Sequence, residues 1–505
     1  MKNKKSKKGI FSIILCSLAI LIGFISFNAA RWYISVYGNL GFDAILYTLL
    51  SDLGNTEGDL ITSFINDALV PAVVATAIVV VILFLKAPRK IVLHFRDKFK
   101  ISLYPFKRLV SVIASLAITA GLLYSAATQV DLINFLKFIL QDSTIYEEGY
   151  VDPLEANITF PSQKQNLIYI YLESMETTFL SEEVGGGNDV TPIPELYTLA
   201  QENINFSHNE DVGGYAALSG ATWTVGGLVS HTAGIPLKTP LDMGGNDYGQ
   251  DEFLPGVNTL SDLLHENGYY QALMVGSDAS FGGRKQYFEQ HGTDKIYDLF
   301  TARADGIVPE DYMVWWGMED LYLYEYAKQE LPKLAAQDQP FALTMLTVDS
   351  HHVDGYVCEY CTNDYEVQYE NVLACASRQA LEFVNWIQEQ DFYENTTIII
   401  SGDHPTMDSA FIESNIVPNY ERKVYNCFIN AKASTDNTKN RQFCTLDMLP
   451  TTLSAMGCKI EGDRLGLGTD LFSDTPTFCE EYGTQEFNDI IAANSKYYTE
   501  NFFFE

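Results

Sequence analysis

Positive charge is scarce in this 505-residue sequence: 32 lysines and arginines stand against 65 acidic residues, a formal net charge of -33. Nearly all the basic clusters fall in the first 110 residues, so the remainder is more acidic still and a nucleic-acid partner is excluded. Cysteine is sparse, with eight in all and only Cys16 ahead of residue 358. The first apolar stretch is not followed by a clear small-x-small cleavage site, which argues against a removed signal peptide and for a retained anchor.

Hydrophobic residues make up 47% of the chain, enough to bury a large core. After Lys2, Lys4, Lys5, Lys7 and Lys8 comes an apolar run over about 10–30. It is long enough to cross ~30 Å of hydrocarbon at ~1.5 Å per helical residue. Further runs cover about 67–85 and 109–127. The loop between the second and third carries Lys86, Arg89, Lys90, Arg96, Lys98, Lys100, Lys107 and Arg108. The loop between the first and second carries Asp43, Asp52, Glu57, Asp59 and Asp67, with Arg31 its one basic residue. The positive-inside rule then puts the N-terminus and the basic loop in the cytoplasm and everything after about residue 128 outside. The expected organisation is a membrane domain of three helices over 1–128, a connecting segment over 129–165 and an extracytoplasmic catalytic domain over 166–505.

Within the last of these, strand-length apolar runs recur at 166–172, 270–275, 341–348, 396–400 and 425–429, with amphipathic stretches such as 258–267 and 373–390 between them. Alternation of this kind predicts an α/β domain with a mostly parallel central sheet, whose ligands gather at the carboxyl ends of the strands. Those ends are rich in chemistry. The first strand runs into Glu173 and a late one into Asp403 and His404, oxygen and nitrogen donors that suit a divalent ion such as Zn²⁺ or Mn²⁺. A glycine-rich turn before a helix-like stretch offers Thr222 or Thr224 as a nucleophile, where free amides and the helix dipole favour bound phosphate. The plainer reading is a helix-capping threonine. His351 and His352 follow another strand and could hold phosphate, move a proton or bind metal. Arg284 and Lys285, after Gly282 and Gly283, could clamp an anion. Cys358, Cys361 and Cys375 are close enough to staple one loop as a disulfide, with zinc binding by Cys358 and Cys361 the rival.

Five stretches in order, Tyr171-Leu-Glu-Ser174, Trp223-Thr-Val-Gly-Gly-Leu-Val-Ser-His-Thr-Ala-Gly-Ile-Pro236, Leu346-Thr-Val-Asp-Ser-His-His352, Ser401-Gly-Asp-His404 and Leu465-Gly-Leu-Gly468, resemble the alkaline phosphatase and sulfatase superfamily. The branch they resemble is that of lipoteichoic acid synthases and of phosphoglycerol transferases acting on periplasmic glucans, the glucan type most nearly. The resemblance implies Glu173, Asp403 and His404 as metal ligands, with the nucleophile Thr224 completing the set and Thr222 as its alternative. It implies a phosphate-contacting role for His351 beside His352, although Val353 replaces the family's usual proline. Arg284 matches a substrate-phosphate arginine, with Gly282 where the lipoteichoic acid branch has tryptophan. The implied activity is transfer of phosphoglycerol from phosphatidylglycerol to an envelope glycan or glycolipid, through a phosphoglyceryl-threonine and one divalent ion, Mn²⁺ foremost, with Zn²⁺ or Mg²⁺ as alternatives. Phosphoethanolamine transfer, or hydrolysis of a phosphate or sulfate ester, would use the same site. A sulfatase would carry a modifiable Cys or Ser at the nucleophile, which neither threonine is. A non-catalytic envelope scaffold is the alternative of another class, opposed by the intact ligand set.

Overall fold

The computed structural model describes residues 2–38, 42–50, 57–86, 92–95, 99–102, 107–238 and 252–503. They form two compact units, residues 1–42 with 55–136 and residues 43–54 with 137–505.

In the first unit, Phe11–Val36, Ile61–Phe84 and Leu109–Gln129 are helices long and apolar enough to cross a bilayer, which marks a membrane protein. Polar side chains tie them together: the Trp32 indole donates to Ser63 Oγ at 2.9 Å, and Ser111 Oγ donates to the Leu83 carbonyl at 2.9 Å. Pro71 has no amide hydrogen for the helical ladder, and the middle span widens into a π turn over Ile65–Leu69 just before it. Arg89, Lys90, Arg96 and Lys98 of the basic loop, and Asp52 of the acidic one, lie outside the described residues.

The second unit is built on a six-stranded sheet. Its strands are β1 (Asn166–Leu172), β2 (Tyr270–Val275), β3 (Lys295–Tyr297), β4 (Phe341–Leu346), β5 (Thr396–Gly402) and β6 (Asn426–Ile429). In space the order is β3-β2-β4-β1-β5-β6, all parallel except β6, which runs antiparallel on β5. The five apolar runs are all strands, while β3, only three residues long and half-buried along much of its length, gives no comparable signal. Both faces of β1 are buried, the reason it reads as an unbroken apolar run. One face of the sheet carries Ile168, Ile170, Met345, Ile398 and Ile400 into the core. Helix α3 (Gln368–Gln388) supplies Leu373, Ala376, Ala380, Phe383, Val384 and Ile387 to the same core, at a spacing of three and four. It begins five residues earlier than its apolar pattern suggests, because its first turn is mostly polar.

On the opposite face Tyr169 and Tyr171 stack at 4.3 Å, and the His231 ring meets Tyr171 edge-on at 5.0 Å. His231 belongs to helix α1 (Thr224–Ala233), which it fastens to the sheet. Its Nδ1 donates to the Gly227 carbonyl at 2.7 Å, and its Nε2 is 2.8 Å from the Tyr215 hydroxyl, which also lies 2.8 Å from the Gly402 carbonyl at the end of β5. Burial pushes the His231 pKa down to about 4, so the ring is a neutral strut. The segment 129–165 is more structured than a plain linker: Ile158–Thr159 pairs with Lys459–Ile460, and Val151 exchanges backbone bonds with Gly466.

Helix α1 approaches β5 so closely that a Cβ on Gly227 would stand 2.3 Å from the Asp403 carbonyl oxygen. Elsewhere in a helix Gly→Ala is expected to stabilise by up to ~1 kcal/mol, whereas overpacking against fixed backbone costs about 1–3 kcal/mol. Gly227→Ala is therefore expected to lower the thermal unfolding midpoint of the purified protein, and a raised midpoint would contradict this packing.

Candidate active site and metal centre

Register places the chemistry. Leu172 pairs with Gly402 across β1 and β5, so Glu173 and Asp403 leave neighbouring strands at the same level. β4, on the other side of β1, leads to His351. Ligand atoms of Glu173, Asp403 and His404 all lie within 4.8 Å of one another, and all three residues are buried. His404 Nε2 is 3.4 Å from both Glu173 Oε1 and Asp403 Oδ2. Its Nδ1 is 2.8 Å from the Pro405 carbonyl, to which it donates, and this leaves Nε2 turned to the carboxylates.

Several backbone and hydroxyl groups to which the sequence alone assigns no role fix this geometry. Asp403 Oδ1 accepts from the Ser174 amide at 2.8 Å and the His404 amide at 2.9 Å. Glu173 Oε1 accepts from Ser174 Oγ at 2.8 Å, the Glu173 amide donates to Thr347 Oγ1 at 2.9 Å, and Ser350 Oγ donates to the Glu173 carbonyl at 2.6 Å. Ser174 and Ser350 each lie within one residue of a singled-out residue, so position beside a strand end was the available signal.

The electrostatics are those of a site that wants a cation. Burial, then the Glu173 charge, pushes Asp403 up to about 7. Burial opposes the charge on Glu173, yet the His404 imidazole holds it far below the usual carboxylate range. Burial opposes charge on His404 too, but Asp403 and Glu173 outweigh it and lift its pKa to about 9. Asp403 Oδ2 is buried without a hydrogen-bond partner. Two carboxylates, one with an orphaned oxygen, and an imidazole nitrogen facing them fit a divalent ion, so Glu173, Asp403 and His404 can hold one.

Thr224 is the threonine that meets this group. Its Oγ1 is 3.3 Å from His404 Nε2 and 3.5 Å from Glu173 Oε2. No hydrogen bond joins Thr222 to the cluster among the described residues. Thr224 is not a capping residue: Trp223 occupies the N-cap of α1 and no side chain caps that end, leaving the first amides beside the hydroxyl.

Arg284 opens helix α2 (Arg284–Gln290) behind Gly282 and Gly283, whose φ values of +65° and +77° suit glycine alone. Its buried guanidinium donates to the Phe281 carbonyl at 3.0 Å, Ser277 Oγ at 3.0 Å and the Asp278 carbonyl at 2.6 Å, and it faces the charge of Glu173. Lys285, the other half of the expected clamp, turns to solvent and pairs with Glu289 at 3.8 Å. His351 packs on Trp316 at 4.8 Å and His352 at 4.5 Å, with Nδ1 2.8 Å from the His352 carbonyl. Burial lowers the His351 pKa against the pull of Glu173, so its imidazole is kept neutral. His352 is buried behind it. A residue far from every motif also arrives here. Tyr47, in the helix Phe42–Leu50, donates to the Gly282 carbonyl, and its ring lies 5.7 Å from that of Trp223.

The chain is 30% identical over 327 residues to phosphoglycerol transferase I of Xanthomonas euvesicatoria pv. vesicatoria, covering 62% of this chain and 44% of that one. It is 32% identical over 267 residues to phosphoglycerol transferase I of Citrobacter koseri, covering 51% and 33%. The chain thus spans less than half the length of these curated relatives. Among solved structures, the lipoteichoic acid synthase LtaP from Listeria monocytogenes superposes with a TM-score of 0.49 at 19% identity, over 63% of this chain and 79% of that one. The Sulfatase family profile matches residues 165–458, which begin one residue before β1 and take in Glu173, Thr224, Arg284, His351, Asp403 and His404, and with more than half its length so matched the chain belongs to the Sulfatase family.

Proposed function

We propose that this chain transfers a phosphoglycerol group from phosphatidylglycerol to a hydroxyl of an envelope glycan or glycolipid, with Thr224 as the covalent carrier. The observation that carries the reading is the Thr224 hydroxyl, within 3.5 Å of both Glu173 and His404 at the uncapped start of α1. The named activity of the phosphoglycerol transferase I relatives supports the choice of group.

Thr224 Oγ1 attacks the phosphorus of the lipid phosphodiester, and the bond from phosphorus to the diacylglycerol oxygen breaks. Diacylglycerol leaves with the proton that Thr224 gives up, and phosphoglyceryl-threonine remains. An acceptor hydroxyl then attacks the same phosphorus, its proton returning to Thr224 as the acceptor gains phosphoglycerol. A divalent ion held by Glu173, Asp403 and His404, Mn²⁺ being the first candidate, supplies charge neutralisation of phosphate oxygen and a lowered threonine pKa. The α1 amides, Arg284 and the neutral His351, with His352 behind it, bind and orient the phosphate oxygens that bear the developing charge.

The catalytic unit belongs outside the cytoplasm in this reading. The grouping of residues 43–54 with 137–505 in one unit supports a common side for the loop after the first apolar helix and the chain after the third, as three crossings would give. The acidic first loop and basic second loop select the outer side.

Three outcomes test this. In detergent with Mn²⁺ and labelled phosphatidylglycerol, Thr224→Ala is expected to cut diacylglycerol release by roughly a thousandfold or more, while Thr222→Ala keeps most of it. Full activity in the Thr224 variant would remove it as nucleophile, and faster turnover of phosphatidylethanolamine would reassign the transferred group. Chelation is expected to abolish release and also to lower the unfolding midpoint, since buried carboxylates lose their counter-charge, with Mn²⁺ restoring both. An unchanged midpoint and activity would exclude a metal at this centre. Finally, protease added to intact spheroplasts is expected to digest the catalytic unit, and protection until lysis would invert the topology.

A further inference from the structure

A second donor cluster lies outside the centre described above. Cys358 and Cys361 lie in the turn that follows His351 and His352, and Cys375 is on the third turn of α3. Cys358 Sγ is 3.6 Å from Cys361 Sγ and 3.6 Å from Cys375 Sγ, and all three sulfurs fall within 4.8 Å of one another. None of the three forms a disulfide. A disulfide could use two of these sulfurs and would strand the third against it. A tetrahedral ion with metal–sulfur bonds of about 2.3 Å spaces its thiolates about 3.8 Å apart, close to what is found here and for both pairs at once.

Hydrogen bonds around the cluster hold the sulfurs in place. The Cys361 amide closes the turn onto the Cys358 carbonyl at 3.1 Å, and the Gln379 amide donates to Cys375 Sγ at 3.3 Å. Asp349, whose carbonyl accepts from the Tyr356 amide at 2.7 Å in the same turn, is buried with neither carboxylate oxygen hydrogen-bonded.

We propose that Cys358, Cys361 and Cys375 form a separate metal site for a thiolate-seeking divalent ion of the Zn²⁺ class. Binding exchanges the thiol protons for three metal–sulfur bonds, and because Cys361 is half-exposed, water can reach the remaining tetrahedral position. Such an ion fastens the turn after His351 to α3, so its role is to hold in place the segment that carries the phosphate-facing imidazole.

Cobalt reports on this site separately from the oxygen and nitrogen donors of the catalytic centre. The full chain, purified in mild detergent under reducing, anaerobic conditions, is loaded with Co²⁺. A near-ultraviolet thiolate-to-cobalt charge-transfer band is expected in the unaltered protein and in Asp403→Asn, and its loss in Cys361→Ser/Cys375→Ser. Zinc content should fall by about one ion per chain in the cysteine variant alone. Absence of the band in the unaltered protein while all three thiols alkylate freely would overturn the proposal. Peptide mapping that finds Cys358 in a disulfide in protein isolated without reductant and with undiminished metal content would overturn it as well. The spectrum of the unaltered protein decides even where the cysteine variant fails to fold.

Discussion

Glu173 and Asp403 emerge side by side from adjacent parallel strands and are buried together, and the architecture around them is organised by that enforced crowding of negative charge. Parallel register leaves no freedom to separate them, since sliding β5 by one residue would turn its apolar residues to the wrong face of a sheet buried on both sides. Their charge is met locally by His404, by amides from Ser174 and His404 on one Asp403 oxygen, and more distantly by Arg284. The second Asp403 oxygen has no hydrogen-bond partner, which is why the site reads as a receptor for a cation and not as a finished ion pair.

The same constraint explains the position of Thr224. A hydroxyl gains nucleophilic character only where a positive field stabilises its alkoxide, and the start of α1 provides one that needs no charged side chain. The close approach of Gly227 to Asp403 and the neutral His231 strut bring that helix end to the carboxylates. The geometry of the cluster and the packing of the fold are here the same contacts.

Much of this was legible from the order of residues because buried parallel strands leave unbroken apolar runs, and the residues that end such runs, Glu173, Asp403, His404 and His351, are placed by the runs themselves. Thr222 and Thr224 could not be told apart from pattern, because which hydroxyl reaches the cluster depends on where α1 starts, a matter of two residues. Lys285 shows the converse: adjacent to Arg284 in sequence, it points away because successive helical residues are about 100° apart. The short β3 and the polar first turn of α3 escaped because neither buries enough apolar surface to leave a period. Tyr47 had no signature at all, since its partner is a backbone carbonyl more than two hundred residues away.

That last residue alters what should count as the catalytic domain. The unit is discontinuous in sequence: residues 43–54 are an inserted piece contributed from between the first two apolar helices, and the chain leaves the unit and returns before the main body begins at residue 137. A soluble fragment cut at the obvious boundary after the third helix would keep every residue at the strand ends while losing the hydroxyl on Gly282 and the ring beside Trp223. Such a fragment would keep Glu173, Asp403 and His404 together within an incomplete unit, so the smallest complete form of that unit includes residues from between the first two apolar helices.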